Sequence, residues 1–258
     1  MNSSAFNTFT LENSWFSQPP ENSIPVITGF RPPRQIFDRP PPARRVVCRD
    51  NKCIQALSLP SIMSYNMRSI WGKLNNLADD IKERSGQIVF LCEIWEKSQC
   101  KKHKQKIEEL LEMKNIQYIS TTRPGAATHS DKFLVSKLNI TIPKPLEIVW
   151  ALLRPVQHTG FIRKVILCSF YSPPNSRKNL KLIDHISITY NALKIQHPDV
   201  AVIFSGDKNN LDERKILALN PDFCQIVIKN TWQKKTLTII ITDLHRYYQT
   251  PTIIPPAS

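Results

Sequence analysis

The stretch Val202-Ile-Phe-Ser-Gly-Asp-Lys-Asn-Asn210 decides the reading of this chain, because an apolar run stops at a glycine followed by a carboxylate and two carboxamides. Residues 200–204, VAVIF, are short, β-branched and bounded by Pro198 and Gly206. That pattern predicts a strand covered on both faces, with its polar groups delivered at its end. Gly206 is expected to supply the sharp turn that puts Asp207 and Asn209 on one side. A carboxylate and an amide oxygen so placed suit a hard divalent cation and the phosphate it carries, since magnesium prefers oxygen ligands and keeps several waters. The same residues also read as an Asx turn before a short helix, capped by Asn210 or Asp212. Taken alone, the stretch leaves both readings open.

Working outward, other strands end in the same way. Residues 61–66, SIMSYN, read as a strand ending in Asn66, and a helix is expected from Ser69 with Ile70, Leu74, Leu77 and Ile81 on one face, closed at Ser85-Gly86. Residues 87–95, QIVFLCEIW, form a second apolar strand with Glu93 near its end, and residues 101–114 a lysine-rich helix facing inward with Ile107, Leu110 and Leu111. Residues 117–120 read as a strand, residues 121–131 (TTRPGAATHSD) as loop, and residues 133–142 as a poor strand before Pro143 and Pro145. Residues 146–153 and 163–171 predict a hairpin whose second strand ends in Tyr171. Ser176 then opens a long helix with Leu180, Ile183, Ile186 and Leu193 on its apolar face. After the opening stretch come a short helix at 212–219, a strand near 225–228 and an apolar strand at 237–242. If these strands share one sheet system, Asn66, Glu93, Tyr171, Asp207 and Asn209 can meet at one rim, a set of oxygen donors suited to metal-dependent phosphodiester chemistry. Read one at a time, the same residues are helix caps and surface turns.

The totals fit a polyanionic partner. The chain has 258 residues, 41% of them hydrophobic, and a formal net charge of +14; lysine and arginine contacts to phosphates release condensed counterions. Nucleic acid is the first candidate and an anionic membrane surface the second. No apolar run is long enough to span a bilayer, and the start lacks the basic-then-apolar order of a secretory signal, which places the protein inside the cell, with the nucleus open to it. Among six cysteines, Cys92 and Cys168 lie in strand-like runs as small hydrophobes, and Cys48 and Cys53 have the wrong spacing for a zinc knuckle. Residues 1–59, rich in proline and arginine, read as a disordered arm; residues 60–248 read as the folded domain, and residues 249–258 as an irregular tail.

Five pieces in order, SYNMRSIWGKLNNLADDI, IVFLCEIWE, CSFYSPPNSRKN, VIFSGDKNN and TWQKKTLTIIITDLHRYY, spanning about residues 61–248, resemble the endonuclease/exonuclease/phosphatase superfamily. The likeness is greater to the apurinic-type endonuclease domain of non-LTR retrotransposons. The resemblance implies a four-layered α/β sandwich, two packed mixed sheets flanked by helices and incomplete at the C-terminus. It also implies Mg2+ (or Mn2+)-dependent nicking of DNA that primes reverse transcription, with a reverse transcriptase domain downstream in an intact element. Carried over, Glu93 is the main metal ligand with Asn66 beside it, and Asp207 positions and deprotonates the attacking water. Asn209 and Tyr171 then hydrogen-bond the phosphate, while Arg68 and Asn210 are phosphate- or DNA-binding.

Three departures from the family pattern qualify that expectation. Thr238 stands at the position of an aspartate that orients a catalytic histidine; the chain ends before the Ser-Asp-His segment carrying that histidine; and the loop after Gly125 lacks a glycine-rich turn and most of the following strand. His245, nearest in sequence, is expected on an exposed turn. The expectation is therefore a truncated, degenerate copy of reduced activity. The alternative is a noncatalytic nucleic-acid-binding remnant, and a third reading within the superfamily is a phosphomonoesterase or phospholipid diesterase.

Overall fold

In the computed structural model, the structure describes residues 8–11, 60–70, 72–83, 87–94, 101–113, 115–121, 123–129, 133–156, 164–174, 176–228, 238–248 and 251–254. The readings of the remainder of the arm, the Cys48/Cys53 pair, the helix end at Ser85-Gly86, the loop of the predicted hairpin and Pro255-Pro256 lie outside the described residues.

Twelve strands form two six-stranded sheets among the described residues. The first contains β1 (Thr8–Leu11), β2 (Ile62–Asn66), β3 (Ile88–Cys92), β4 (Ile116–Ser120), β5 (Gly125–His129) and β12 (Thr252–Ile254), in the order β12-β1-β2-β3-β5-β4. The second contains β6 (Phe133–Lys137), β7 (Glu147–Pro155), β8 (Val165–Tyr171), β9 (Ala201–Asp207), β10 (Cys224–Gln225) and β11 (Thr238–Thr242), in the order β10-β11-β9-β8-β7-β6. Both sheets are mixed: β2 runs parallel to β3 and β8 parallel to β9, while the other pairs are antiparallel.

Side-chain alternation along the strands divides the interior into three apolar layers. Ile62, Ile88 and Phe90 of the first sheet meet Leu153, Val165, Leu167, Ile203 and Ile240 of the second in the central layer. The outer face of the first sheet, with Met63, Tyr65, Val89 and Leu91, is covered by α1 (Leu74–Glu83) and α2 (Lys101–Glu112) through Leu74, Leu77, Ile81, Ile107 and Leu111. The outer face of the second, with Trp150, Phe170, Val202 and Phe204, is covered by α3 (Ser176–Gln196) and α4 (Arg214–Leu217). Helix, sheet, sheet and helix thus make the four layers expected. No helix among the described residues is long and apolar enough to cross a membrane.

The structure corrects several local expectations. Residues 125–129, read as loop, form an interior strand that pairs with both β3 and β4, so the first sheet is not missing a member there. Ala126 and Ala127 are buried on it, small enough to fit between neighbours that supply the apolar bulk. Thr8–Leu11 and Thr252–Ile254, placed in irregular segments, are strands: the first pairs with β2 and the second with the first, at the sheet's edge. The first helix begins at Leu74, not Ser69, although Ile70 is buried with it. On α3, Leu180 is 54% exposed, and Asn179 with Leu182 occupies the buried face instead.

Candidate functional site

The two sheets bring their polar strand ends to one rim, and strand parity explains how. In β2, Ile62 faces the central layer, so Ser64 and Asn66 point the same way. In β8 and β9, Val165, Leu167, Ala201 and Ile203 face it, so Tyr171 and Asp207 do too, side by side in register. Glu147 lies opposite Tyr171 on β7, and Thr238 opposite Asp207 on β11. One rung deeper, the Ser64 and Ser205 hydroxyls stand 3.4 Å apart across the gap, a polar contact that joins the sheets beneath the site.

Backbone strain is gathered at the same rim. Of five non-glycine residues with positive φ among the described residues, four are Arg68 (44°), Ser69 (108°), Glu93 (51°) and Asn209 (42°). A left-handed backbone costs such residues about 1–2 kcal/mol each, so it persists only where the surroundings over-determine it. They do so here. Beyond the strand ends, Met67, Ser69 and Ile70 donate their N–H groups to the carbonyls of Cys92, Glu93 and Ile94, at 2.8, 2.8 and 2.9 Å. The segments carrying Asn66 and Glu93 are therefore clamped together. The Asn66 Oδ1 accepts the Arg68 N–H at 3.2 Å, leaving an amide-oxygen lone pair for a further partner.

On the opposite side, Asp207 is 3% exposed. Burial and the nearby Glu93 carboxylate push its carboxyl up to about 7, against hydrogen bonds from Asn209 that pull it down. The Asn209 backbone N–H reaches Asp207 Oδ1 at 3.2 Å, and its side-chain Nδ2 donates to the Ser172 carbonyl at 2.8 Å. Asn209 thus holds Asp207 while tethered to the loop after β8. Burial likewise raises the Tyr171 phenol, the Arg123 cation lowers it, and Glu93, Asp207 and Glu147 raise it. Glu93, Tyr171 and Asp207 lie within one another's electrostatic reach.

Gly206 plays a different part from the one expected. It sits inside β9 opposite Phe170, and a Cβ there would fall 2.3 Å from the Phe170 carbonyl oxygen. Glycine is required by close backbone approach, and the chain turns at Asn209 instead. Asn210 is exposed and donates its amide to the Pro174 carbonyl at 3.0 Å, anchoring the loop before α3. Arg68 is exposed at the rim. His245 lies, as expected, on the turn after β11, a 3-10 turn His245–Tyr247 with no buried residue; His245 itself is half-exposed, with its Nδ1 covered and without a hydrogen-bond partner. Arg123, treated as loop by the sequence reading, lies 4.6 Å over the Tyr171 ring; the signal that could have exposed it was the Arg-Pro-Gly turn at 123–125.

The donors at the rim are oxygens: Glu93 and Asp207 carboxylates and the Asn66 amide. No trio of His, Cys, Asp or Glu suited to a metal gathers among the described residues. Two carboxylates and an amide match magnesium, which takes one or two protein carboxylates and keeps water in its remaining positions. Their mutual repulsion, seen in the raised Asp207, is what a divalent cation would offset.

No family model and no curated protein matches this chain. Solved structures do. A humanized D. rerio TDP2 superposes with a TM-score of 0.50 at 14% identity, over 70% of this chain and 82% of that one. The human Nocturnin catalytic domain gives 0.51 at 12%, over 69% and 77%. An endonuclease/exonuclease/phosphatase family protein of Bacteroides thetaiotaomicron gives 0.51 at 13%, over 75% and 92%. The α/β sandwich of this chain is the fold of that family's proteins.

Proposed function

We propose that this chain is a divalent-metal-dependent phosphodiester hydrolase that nicks DNA, derived from the endonuclease domain of a non-LTR retroelement. The observation that carries the reading is the meeting of Glu93 and Asn66 from one sheet with Tyr171, Asp207 and Asn209 from the other. The net charge of +14 supports a polyanionic substrate. In this reading Glu93 and Asn66 would hold Mg2+ or Mn2+, which when bound supplies Lewis-acid stabilisation of phosphate charge. Asp207 orients the attacking water and takes its proton, a role matched by a carboxyl poised near neutrality. The phenol of Tyr171 donates to a non-bridging phosphate oxygen as charge grows on it. Asn209, its amide shared between the Ser172 carbonyl and Asp207, holds Asp207 toward the water and would turn to the phosphate only by giving up one of those partners. The water oxygen bonds to phosphorus, the P–O3′ bond breaks, and the departing oxygen takes a proton from solvent, leaving the 3′-hydroxyl that would prime reverse transcription.

Thr238 favours a second reading, a noncatalytic nucleic-acid-binding domain. It is buried opposite Asp207, at a position where the resemblance expects a carboxylate. Loss of one acid-base group costs about 10²–10⁴ in rate, which predicts slow turnover instead of none. A supercoiled-plasmid nicking assay with and without magnesium, beside Glu93→Ala and Asp207→Ala, separates the two. Nicking that requires magnesium and both carboxylates supports hydrolysis; folded protein that binds DNA without nicking it supports the second reading.

A further inference from the structure

Tyr171 is the phosphate-facing phenol in the function proposed above, and a neighbour outside that assignment is built around it. Arg123 lies in the tight turn joining β4 to β5, where the Thr121 N–H donates to the Pro124 carbonyl at 3.0 Å. Its own carbonyl accepts the N–H of Ile94 at 3.0 Å, tying the turn to the residue after Glu93. Gly125 strengthens that tie, since a Cβ there would fall 2.6 Å from Ile94 Cδ1. The Arg123 side chain leaves the first sheet and crosses to the second. There its guanidinium lies 4.6 Å from the Tyr171 ring centroid, and its Nε is 3.3 Å from Glu147 Oε2, an ion pair by charge and distance whose angle does not make it a hydrogen bond. Glu147 is the cross-strand partner of Tyr171, so ring, cation and carboxylate form one three-part contact. Tyr171 is 7% exposed and the two charged side chains 25% each, so the contact is shielded from much of the solvent.

We propose that Arg123 is a positioning residue for Tyr171, fixing the ring so that its phenol meets the phosphate held beside Glu93; this role rests on the hydrolytic reading above. The main chain of Arg123 is bonded to the segment that carries Glu93, and its side chain grips the ring on the other sheet. Arg123 therefore sets the distance between the two halves of the site. Aim matters because a catalytic donor must be held within about 10–20° of its productive direction by neighbours whose own rotamers are locked. A planar guanidinium can lie over a ring face while its charge faces a carboxylate, a combination a compact lysine ammonium reproduces poorly. Glu147 holds the guanidinium over the ring by charge, and the guanidinium restrains the ring.

The test uses the full chain labelled with 3-fluorotyrosine, with the Tyr171 signal identified by its loss in Tyr171→Phe, and reads the ring-flip rate from line shapes. Arg123→Gln is expected to speed flipping about tenfold or more, with Arg123→Lys in between. Glu147→Gln, which keeps the cation and removes its anchor, gives a smaller rise should Arg123→Gln fail to fold. A flip rate unchanged in both Arg123→Gln and Glu147→Gln overturns the proposal. On duplex DNA, Arg123→Gln should lower kcat about tenfold with KM within twofold, and the Arg123→Gln/Tyr171→Phe double variant should be no slower than Tyr171→Phe. Additive losses, or a loss confined to KM, would mean that Arg123 acts on DNA directly and overturn it equally. Wild-type protein that does not nick defeats the hydrolytic reading, while the ring-flip rate still decides the role of Arg123.

Discussion

Replacing Gly206 by alanine tests the reasoning about the site's frame without assuming any activity. The added Cβ would stand 2.3 Å from the Phe170 carbonyl oxygen and 2.8 and 2.9 Å from its Cδ2 and Cγ atoms. A carbon–oxygen approach is comfortable at about 3.3 Å, so the strands must part by roughly 1 Å. The obstructing oxygen belongs to backbone, and the Phe170 ring is fully buried against Trp150, Val202 and Phe204, so neither can step aside alone. Overpacking of this kind costs about 1–3 kcal/mol. Parting β8 from β9 also moves their last residues, Tyr171 and Asp207, which follow Phe170 and Gly206 directly. A misplacement of about 1 Å at a reacting group is worth about 10²-fold in rate. Gly72→Ala is the matched control: its φ is +73° with open space around the missing Cβ, so it should lose only about 1–2 kcal/mol of backbone strain and leave the site intact. Urea unfolding followed by circular dichroism measures the stability of both, and plasmid nicking measures the site. Wild-type stability in Gly206→Ala would refute the reasoning, as would full nicking activity by a Gly206→Ala protein that has lost 1–3 kcal/mol.

Three further outcomes follow from buried groups. Burial pushes the carboxyl of Asp243 up to about 6, although its Oδ1 accepts the Val202 N–H at 3.0 Å. A folded-state value above the ordinary one means that its contribution to stability is present at low pH and lost as pH rises through about 6. Asp243→Asn should therefore gain about 1–3 kcal/mol on wild type between pH 4 and pH 7.5, read from urea midpoints; an equal difference at both pH values would contradict the shift. Glu93→Gln removes the repulsion acting on Asp207, whose carboxyl midpoint should fall from about 7, as followed by carboxyl carbon NMR without metal. On α3, Leu182→Ala should cost about 2–5 kcal/mol and Leu180→Lys no more than about 0.5, since the first is buried and the second exposed; reversal of that order would refute the assigned face.

The four layers and the rim of polar strand ends were legible because apolar runs with abrupt polar endings record both burial and the side from which a site is reached. β9 is the clearest case, buried along its whole length and ending in Asp207. β5 was not legible. Its Gly-Ala-Ala-Thr-His run has no branched apolar side chains, and it is a strand because β3 and β4 supply partners on both edges. Thr8–Leu11 and Thr252–Ile254 were missed for the same reason, as their pairing comes from parts of the chain far away in sequence. On α3, Leu180 looked like core only because Asn179 was passed over. Asn179 is buried because its Oδ1 accepts the Ser172 hydroxyl at 2.7 Å, a partnership with no trace in periodicity.

Glu93 shows why the assembled site needs its strained backbone. Along β3, Ile88 and Phe90 face the central layer while Val89 and Leu91 face the helices, so simple alternation would send residue 93 outward with the odd-numbered side chains. A carboxylate there would lie on the helix-covered face of the first sheet, away from Asp207. Yet the Glu93 carboxylate lies close enough to Asp207 and Tyr171, which burial already raises, to raise both further. The left-handed backbone at Glu93, φ 51°, follows directly on the last residue of β3 and breaks that alternation. Two hydrogen bonds hold that turn in place, from Ser69 N–H to the Glu93 carbonyl and from Ile94 N–H to the Arg123 carbonyl. The four positive-φ residues at the rim are thus a cost carried by the sheets and offset by the segments they clamp. Parity alone would bring Asn66, Tyr171 and Asp207 together, with Glu147 beside Tyr171 but held by Arg123; the turn at Glu93 adds a carboxylate that acts on Asp207.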